Sequence, residues 1–224
     1  FNLGNVFKNG GNLEGAIEAY KKALFIKSDY SEALLNMGVS LEEQGKFTDA
    51  IAAYREALSV KPDFSESYNN LGNALKHQGK FTEAIQAYEE ALYLKPNNVE
   101  VYYNIGAALK GIVFNRHNPG LQKIIASLLD KKTIVRPMDI SRAAISLLKV
   151  DPRLQKTLKS RQMSKEISKS IEVIRDLSER PLLGKLMSVC PLADIELEDL
   201  LMELRANLLF SISEFTSSPE VLRF

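Results

Sequence analysis

The strongest constraint in this sequence is a period of 34 residues. Tyr68, Leu71, Gly72 and Leu75, followed by Ala84, Tyr88, Ala91 and Pro96, have counterparts one period earlier. These are Leu34, Met37, Gly38 and Leu41, then Ala50, Tyr54, Ala57 and Pro62. A further period back stand Leu3, Gly4, Phe7, Gly11, Ala16, Tyr20 and Ala23, with Ser28 in the proline position. One period forward stand Tyr102, Ile105, Gly106 and Leu109. Within one unit, Ser65 to Pro96, the apolar residues recur at helical spacing on either side of Gly79, which predicts two amphipathic helices joined by a tight turn. Gly79 suits a turn that needs a positive φ. Pro96 ends the second helix, because it carries no N–H and pushes Lys95 out of the α region. Small residues at Gly72 and Ala84 mark where the two helices approach closely.

A fixed period of this length identifies a stacked repeat, in which no unit buries its apolar face alone and neighbours complete a continuous core. The pattern resembles the tetratricopeptide repeat: an aromatic, Leu-Gly, an aromatic or aliphatic residue, then Ala, an aromatic, Ala and Pro. It covers Phe1 to about Phe114. The resemblance implies an all-α, right-handed superhelix of about three and a half repeats followed by a helical extension. We divide the chain accordingly into repeats over 1–114 and a helical capping or linking domain over 115–224. Repeat one lacks its front, repeat two runs from about Ser31 and repeat three from about Ser65. Repeat four supplies only its first helix before Asn115–Gly120 breaks the pattern. Phe1 falls inside a repeat helix, so the chain is expected to be a piece of a longer protein whose cut end exposes apolar surface, and the oligomeric state stays open.

In this family the first helix of each unit lines the concave side. There the same residue recurs at Asn2, Asn36, Asn70 and Asn104, each just before the Leu, Met or Ile that precedes the helix glycine. An amide offers both a donor and an acceptor, so a ladder of them at repeat spacing can pair with successive peptide groups of an extended chain, largely regardless of its side chains. The ladder resembles that of O-linked N-acetylglucosamine transferases, whose repeats also read close to YNNLGNALK. Asn5 and Asn73 lie one turn further on, with Val39 and Ala107 in the equivalent slots. The competing reading is that these asparagines bond to neighbouring repeats and touch no ligand.

Some three-repeat domains of this family grip a chaperone's C-terminal carboxylate with Lys and Arg at fixed concave positions. The matching slots here hold Phe1, Glu66 and Asn70, and only Asn5 and Asn36 agree. Without the basic residues a terminal carboxylate has little charge pairing, which argues against chaperone-tail binding. Glu32, Glu66 and Glu100 recur at another first-helix position and suggest an acidic rim favouring basic or neutral segments. His77, at the end of a first helix, is read as exposed or in contact with a partner.

Beyond Asn115 the period is lost but helical patterning continues. Leu121, Ile124, Ile125, Leu128 and Leu129 form a stripe on a helix expected to cap the open end of the repeats. Asp139 and Asp151 read as N-caps of the next two helices. Ile167, Ile171, Ile174 and Leu177 mark another helix. Pro181 to Pro191 reads as a short apolar helix, and Leu197, Leu200, Leu201, Leu204, Leu208 and Ile212 share a face of a longer one. Ser218-Pro219-Glu220 opens a last helix. PLLGKLMSVCPLADIELEDLLMELRANLL and SSPEVLRF resemble the helical segment between tetratricopeptide repeats and a class I S-adenosylmethionine-dependent methyltransferase domain in bacterial proteins. That resemblance implies a catalytic domain beyond Phe224. Within this chain no strand with a glycine-rich loop is present to hold such a cofactor.

The net charge of +1 conceals an asymmetry. Residues 1–114 hold 11 Lys/Arg against 14 Asp/Glu, residues 115–170 hold 13 against 4, and residues 171–224 hold 5 against 10. The basic middle suits nucleic acid or an anionic membrane in principle. Its charges are spread over several helices, and no aromatic residue lies between His117 and Arg205 to stack on bases. Packing against the acidic last third is the better reading, and nucleic-acid binding is disfavoured. No apolar run reaches the ~20 residues of a membrane span.

Chemistry is sparse. His77 and His117 belong to no metal-ligand spacing, so no metal is expected. Cys190, the single cysteine, allows no internal disulfide and reads as a buried inert thiol of a cytoplasmic protein. No catalytic residue and no cofactor site emerges. The sequence therefore reads as a non-catalytic recognition module binding a protein or extended peptide through Asn2, Asn5, Asn36, Asn70, Asn73, Asn104, Glu66 and His77. The alternatives are the substrate-recruiting arm of a methyltransferase, and a nucleic-acid or membrane binder using residues 115–170.

Overall fold

A computed structural model describes residues 1–131, 134–156 and 181–189. The described residues are helical or irregular, with no strand among them. They include α1 (Asn2–Asn9), α2 (Leu13–Ile26), α3 (Ser31–Glu43), α4 (Phe47–Val60), α5 (Ser65–His77), α6 (Phe81–Leu94), α7 (Val99–Leu109), α8 (Pro119–Asp130), α9 (Pro137–Lys149) and α10 (Pro181–Val189). The chain divides into two compact units, Phe1–Ala108 and Leu109–Phe224.

In the first unit the helices pack in chain order, α1 on α2, α2 on α3, and so on to α6. The hairpin turns use Gly11 and Gly79, noted in the sequence, and Gly45 in the same register. Gly11, Gly45 and Gly79 have φ of 77°, 74° and 73°, and a Cβ at any of them would meet nothing within 4 Å. Backbone conformation alone selects glycine there, not space. Lys61 and Lys95, before Pro62 and Pro96, have left the helix with φ of −133° and −135°, the conformation a following proline favours, and Lys27, before Ser28, leaves α2 in the same way at −137°.

The helix glycines answer to space alone. A Cβ on Gly4 or Gly38 would sit 2.5 Å from the ring of Tyr20 or Tyr54, and one on Gly72 would be no further from Tyr88. The second helix of each hairpin thus packs a tyrosine ring directly against the bare backbone of the first. All three tyrosines are fully buried, as are Ala16, Ala50 and Ala84 beside them. In repeat one Phe1 and Tyr30 extend this core, their ring centroids 4.7 Å apart.

Successive repeats are also tied by polar contacts that recur in register. Gln44 Nε2 donates to Glu14 Oε1 at 2.9 Å, and Gln78 Nε2, one period on, donates to Thr48 Oγ1 at 2.9 Å. Arg55 pairs with Glu83 at 3.2 Å on the exposed side.

In the second unit α10 packs on α8 and α9, burying Leu182, Leu183 and Leu186. Lys185 pairs with Asp130. The Asn118 side chain caps α8 by accepting from Leu121 N–H at 2.9 Å, with Pro119 in the first turn. Buried Asp151 accepts from the N–H groups of Arg153 and Leu154, capping the helical residues 152–156. Asp139 is not a cap: α9 starts at Pro137, whose ring presets the helical φ, which leaves Asp139 in the first turn and 3.6 Å from Lys110. The helices expected around Ile167 to Leu177, Leu197 to Ile212 and Ser218 to Phe224 lie outside the described residues, as does Cys190.

Gly38→Ala and Gly72→Ala should each lower stability by about 1–3 kcal/mol, because the new methyl displaces a buried ring. Alanine's better helix propensity, up to ~1 kcal/mol, offsets only part of this. Urea unfolding of each variant checks it, and an unchanged or higher midpoint would refute the contact.

Candidate recognition face

Residues spaced by four, three and four positions fall on one side of a helix. On α5 that stripe is Glu66, Asn70, Asn73 and His77, and on α3 it is Glu32, Asn36, Val39 and Glu43. Shorter versions are Asn2 and Asn5 on α1 and Glu100, Asn104 and Ala107 on α7. The expected binding residues therefore do share faces of the first helices, but their roles differ.

The buried tyrosines decide the first difference. Each ring crosses beneath its glycine and carries a hydroxyl that needs a partner. Tyr20 donates to Asn5 Oδ1 at 2.7 Å and Tyr88 donates to Asn73 Oδ1 at 2.8 Å. In repeat two Val39 fills that slot and accepts nothing. Tyr54 donates instead to Glu42 Oε2 at 2.8 Å, one turn further along α3. Burial pushes Glu42 above the usual carboxylate range, against the pull of the Tyr54 hydroxyl, His77 and Lys76. Burial likewise raises Tyr54 and Tyr88, Tyr54 with further contributions from Glu42, Glu43 and Glu66.

Neighbouring repeats decide the second difference. Asn36 Nδ2 donates back to Asn5 Oδ1 at 3.0 Å, while its own Oδ1 accepts from Lys8 at 3.5 Å. Asn104 Nδ2 donates back to Asn69 Oδ1 at 3.0 Å, and Asn69 Nδ2 donates on to Glu100 Oε1 at 2.9 Å. These two rungs thus clasp the preceding repeat at one of two slots, held by Phe1 and Asn5 in repeat one and by Asn69 and Asn73 in repeat three. In repeat two those slots hold Leu35 and Val39, which have no polar side-chain atom. Asn70 accordingly makes no hydrogen bond to another described residue, although it is half-buried. Asn2 is exposed and also without one.

Glu32 is held below the usual range, first by its own backbone N–H at the helix start, then by Ser31 and Lys61, with Lys61 at 3.8 Å. Glu66 is exposed and has no hydrogen bond or ion pair with described residues. His77 is exposed and stacks on Phe47 at the start of α4, centroids 4.8 Å apart and planes 11° apart.

Two residues that take part in this network, Asn69 and Glu42, were not singled out by the sequence. Their signals were departures from the period. Asn69 stands where the other repeats have Phe1, Leu35 and Tyr103, and Glu42 lies one turn beyond the only valine in the tyrosine-partner slot. Among the described residues no group of His, Cys, Asp and Glu is placed to hold a metal ion, and no helix is long and apolar enough to cross a membrane.

Residues 4–45 match a TPR repeat family model and residues 35–99 match a tetratricopeptide repeat model. No curated protein matches the chain. Similar solved structures include the first TPR of Spaghetti (RPAP3) bound to the HSP90 peptide SRMEEVD. It is 25% identical, with a TM-score of 0.46, over 47% of this chain and 83% of that one. The Arabidopsis OM64 TPR domain is 21% identical over 50% of this chain and 92% of its own, with a TM-score of 0.48. A Thermobaculum terrenum O-GlcNAc transferase mutant is 23% identical over 58% of this chain and 25% of its own, with a TM-score of 0.48.

The tyrosine network carries a pH dependence. An unfolded tyrosine ionises near 10.0, whereas folded Tyr54 and Tyr88 hold their protons to higher pH. Above pH 10 the unfolded chain therefore binds fewer protons than the folded one, so stability present below that pH is lost as pH rises. Tyr54→Phe with Tyr88→Phe should flatten this alkaline slope in urea titrations, and an unchanged slope would contradict the assignment.

Proposed function

We propose that the tetratricopeptide repeats of residues 4–99 form a protein-interaction module whose first-helix face holds an extended peptide segment, with Asn70 as the principal contact. One observation carries the reading. Asn36 and Asn104 bond to neighbouring repeats, whereas Asn70, at the same repeat position between them, has its donors and acceptor unmatched. A half-buried amide without a protein partner is costly to desolvate and suits a peptide group that supplies both a C=O and an N–H. Asn2 offers a second, more exposed contact. Asn5, Asn36 and Asn104 bond between repeats, while Asn73 holds the Tyr88 hydroxyl within its own hairpin.

The face also selects against some ligands. Glu32, Glu66 and Glu100 line its rim, and no Lys or Arg stands where a terminal carboxylate would need one, so acidic C-terminal tails are poor partners. No catalytic role is assigned to these residues, and the module is read as recruiting a partner for chemistry done elsewhere, if any. The single cysteine keeps a reducing compartment such as the cytoplasm the simplest setting.

Two substitutions test this from opposite directions. Asn70→Ala should weaken binding of a segment selected from a random peptide display library by about tenfold, the loss of a hydrogen-bonded pair. Its unfolding midpoint should stay close to that of the parent. Val39→Asn should give Asn70 the partner that Asn5 gives Asn36, and so weaken the same peptide while leaving or raising stability. Unchanged affinity in both variants would remove Asn70 from the site. By contrast, Asn36→Ala should cost about 0.5–1.5 kcal/mol of stability.

A further inference from the structure

Repeat one and repeat two differ in one structural respect. Both have a second helix and a following repeat, since α1 packs on α2, α2 on α3, α3 on α4 and α4 on α5. Only repeat two has a described hairpin ahead of it. The register shows what that hairpin covers. Leu71 and Ile105 are buried in their first helices, and so are Ser40, Ala74 and Ala108 in the slot three residues after Met37, Leu71 and Ile105. On α1 the same two positions are Leu3 and Val6, which are 59% and 66% exposed. On α2, Ile26 is 86% exposed against 38% for Val60 one period on. Ala23 is half-buried where Ala57 and Ala91 are fully buried.

The uncovered side is apolar. A terminal repeat that faces water needs a polar outer side for solubility, and Leu3, Val6 and Ile26 do not provide one. A polar group on the same helix is also unmatched. Asn36 and Asn104 reach back to the repeat before them, whereas Asn2, in the same slot of α1, has no hydrogen bond with described residues.

We infer that this side of repeat one seats a further hairpin of the same repeat, encoded ahead of Phe1, whose second helix packs on α1 as α2 packs on α3 and α4 on α5. The interface it would form continues one that the array already builds twice. A second copy of the chain fits less well. A two-fold arrangement would set α1 against α1, whereas first helices in this array pack mainly on second helices. The register also constrains the added helix. Val6 is larger than the serine or alanine found in its slot elsewhere, so a close-packed contact needs a small residue opposite it. This inference is independent of the peptide-binding reading.

The test begins with the coding sequence upstream of the Phe1 codon. One period before Ala16, Tyr20 and Ala23 it should encode alanine, an aromatic residue and alanine, and any other pattern there overturns the inference. The chain extended by that hairpin is then compared with the 224-residue chain, each with and without Leu3→Lys and Val6→Lys. Both positions are exposed in the shorter chain, so the lysines should move its thermal unfolding midpoint by no more than about 1 °C. In the extended chain they should lower the midpoint by about 5 °C or more, because they place charge in a repeat interface. Equal effects in the two chains would mean that the hairpin does not lie on this face. Sedimentation of the 224-residue chain as a dimer that the lysines dissolve, with no loss in the extended chain, would make the occupant a second copy and overturn the assignment.

Discussion

The structure depends on a tyrosine ring lying on a glycine. Tyr20 on Gly4, Tyr54 on Gly38 and Tyr88 on Gly72 set how closely the two helices of each hairpin approach, since a Cβ on any of the three glycines would enter the ring. A ring that large, fully buried, contributes roughly 2 kcal/mol or more through the apolar area it removes from water. Its hydroxyl is the difficulty. It emerges near the exposed face of the first helix and must be satisfied there, because an unmatched buried hydroxyl costs about 1–3 kcal/mol. The packing of the core thereby dictates the chemistry of the surface: the residue directly after the helix glycine becomes an acceptor, or an acceptor must be found further along.

That dependence explains why four identical asparagines do not do one job. Duplication copies the rung, but the partner of a rung lies in the preceding repeat, and that repeat need not have kept it. Asn36 finds Asn5 and Asn104 finds Asn69. The slots that by register would serve Asn70 hold Leu35 and Val39. The valine has two consequences from one substitution: it sends Tyr54 to a carboxylate, and it releases Asn70 from the protein. The rerouted tyrosine hydroxyl and the released amide are thus a single event in the repeat array rather than two coincidences.

The repeat architecture was legible because its signals are local and redundant. The period, the turn glycines and the prolines each specify the same hairpin, and they agree in several units. The ladder was legible as a pattern but not as a set of roles. Assigning a role to Asn36 requires knowing that position 31 residues earlier is within reach, a distance that the helix spacing alone does not give. Asn69 and Glu42 stayed hidden for the same reason: what marks them is a mismatch between repeats, and consensus reasoning looks for agreement. Asp139 shows the local limit. An acid before a helical stripe reads as a cap, yet Pro137 two residues earlier already fixes the backbone and moves the helix start upstream.

An amide ladder is commonly taken to gain affinity by summing its rungs. Here the summation is limited, because a rung already bonded within the protein offers a ligand only an exchange of one hydrogen bond for another, and such exchanges are worth little net. A single open amide is worth about 1 kcal/mol, well short of the roughly 8 kcal/mol of a micromolar complex. The remainder has to come from apolar contact and from charge that is paired in the complex but not before. Both are present beside Asn70 and are reduced elsewhere: Glu32 has Lys61, and Glu100 accepts from Asn69. The internal bonds that hold the other rungs therefore do more than stabilise the stack. By satisfying their own groups they leave Asn70 as the half-buried rung that is unmatched among the described residues, which is why the proposed peptide contact is placed there.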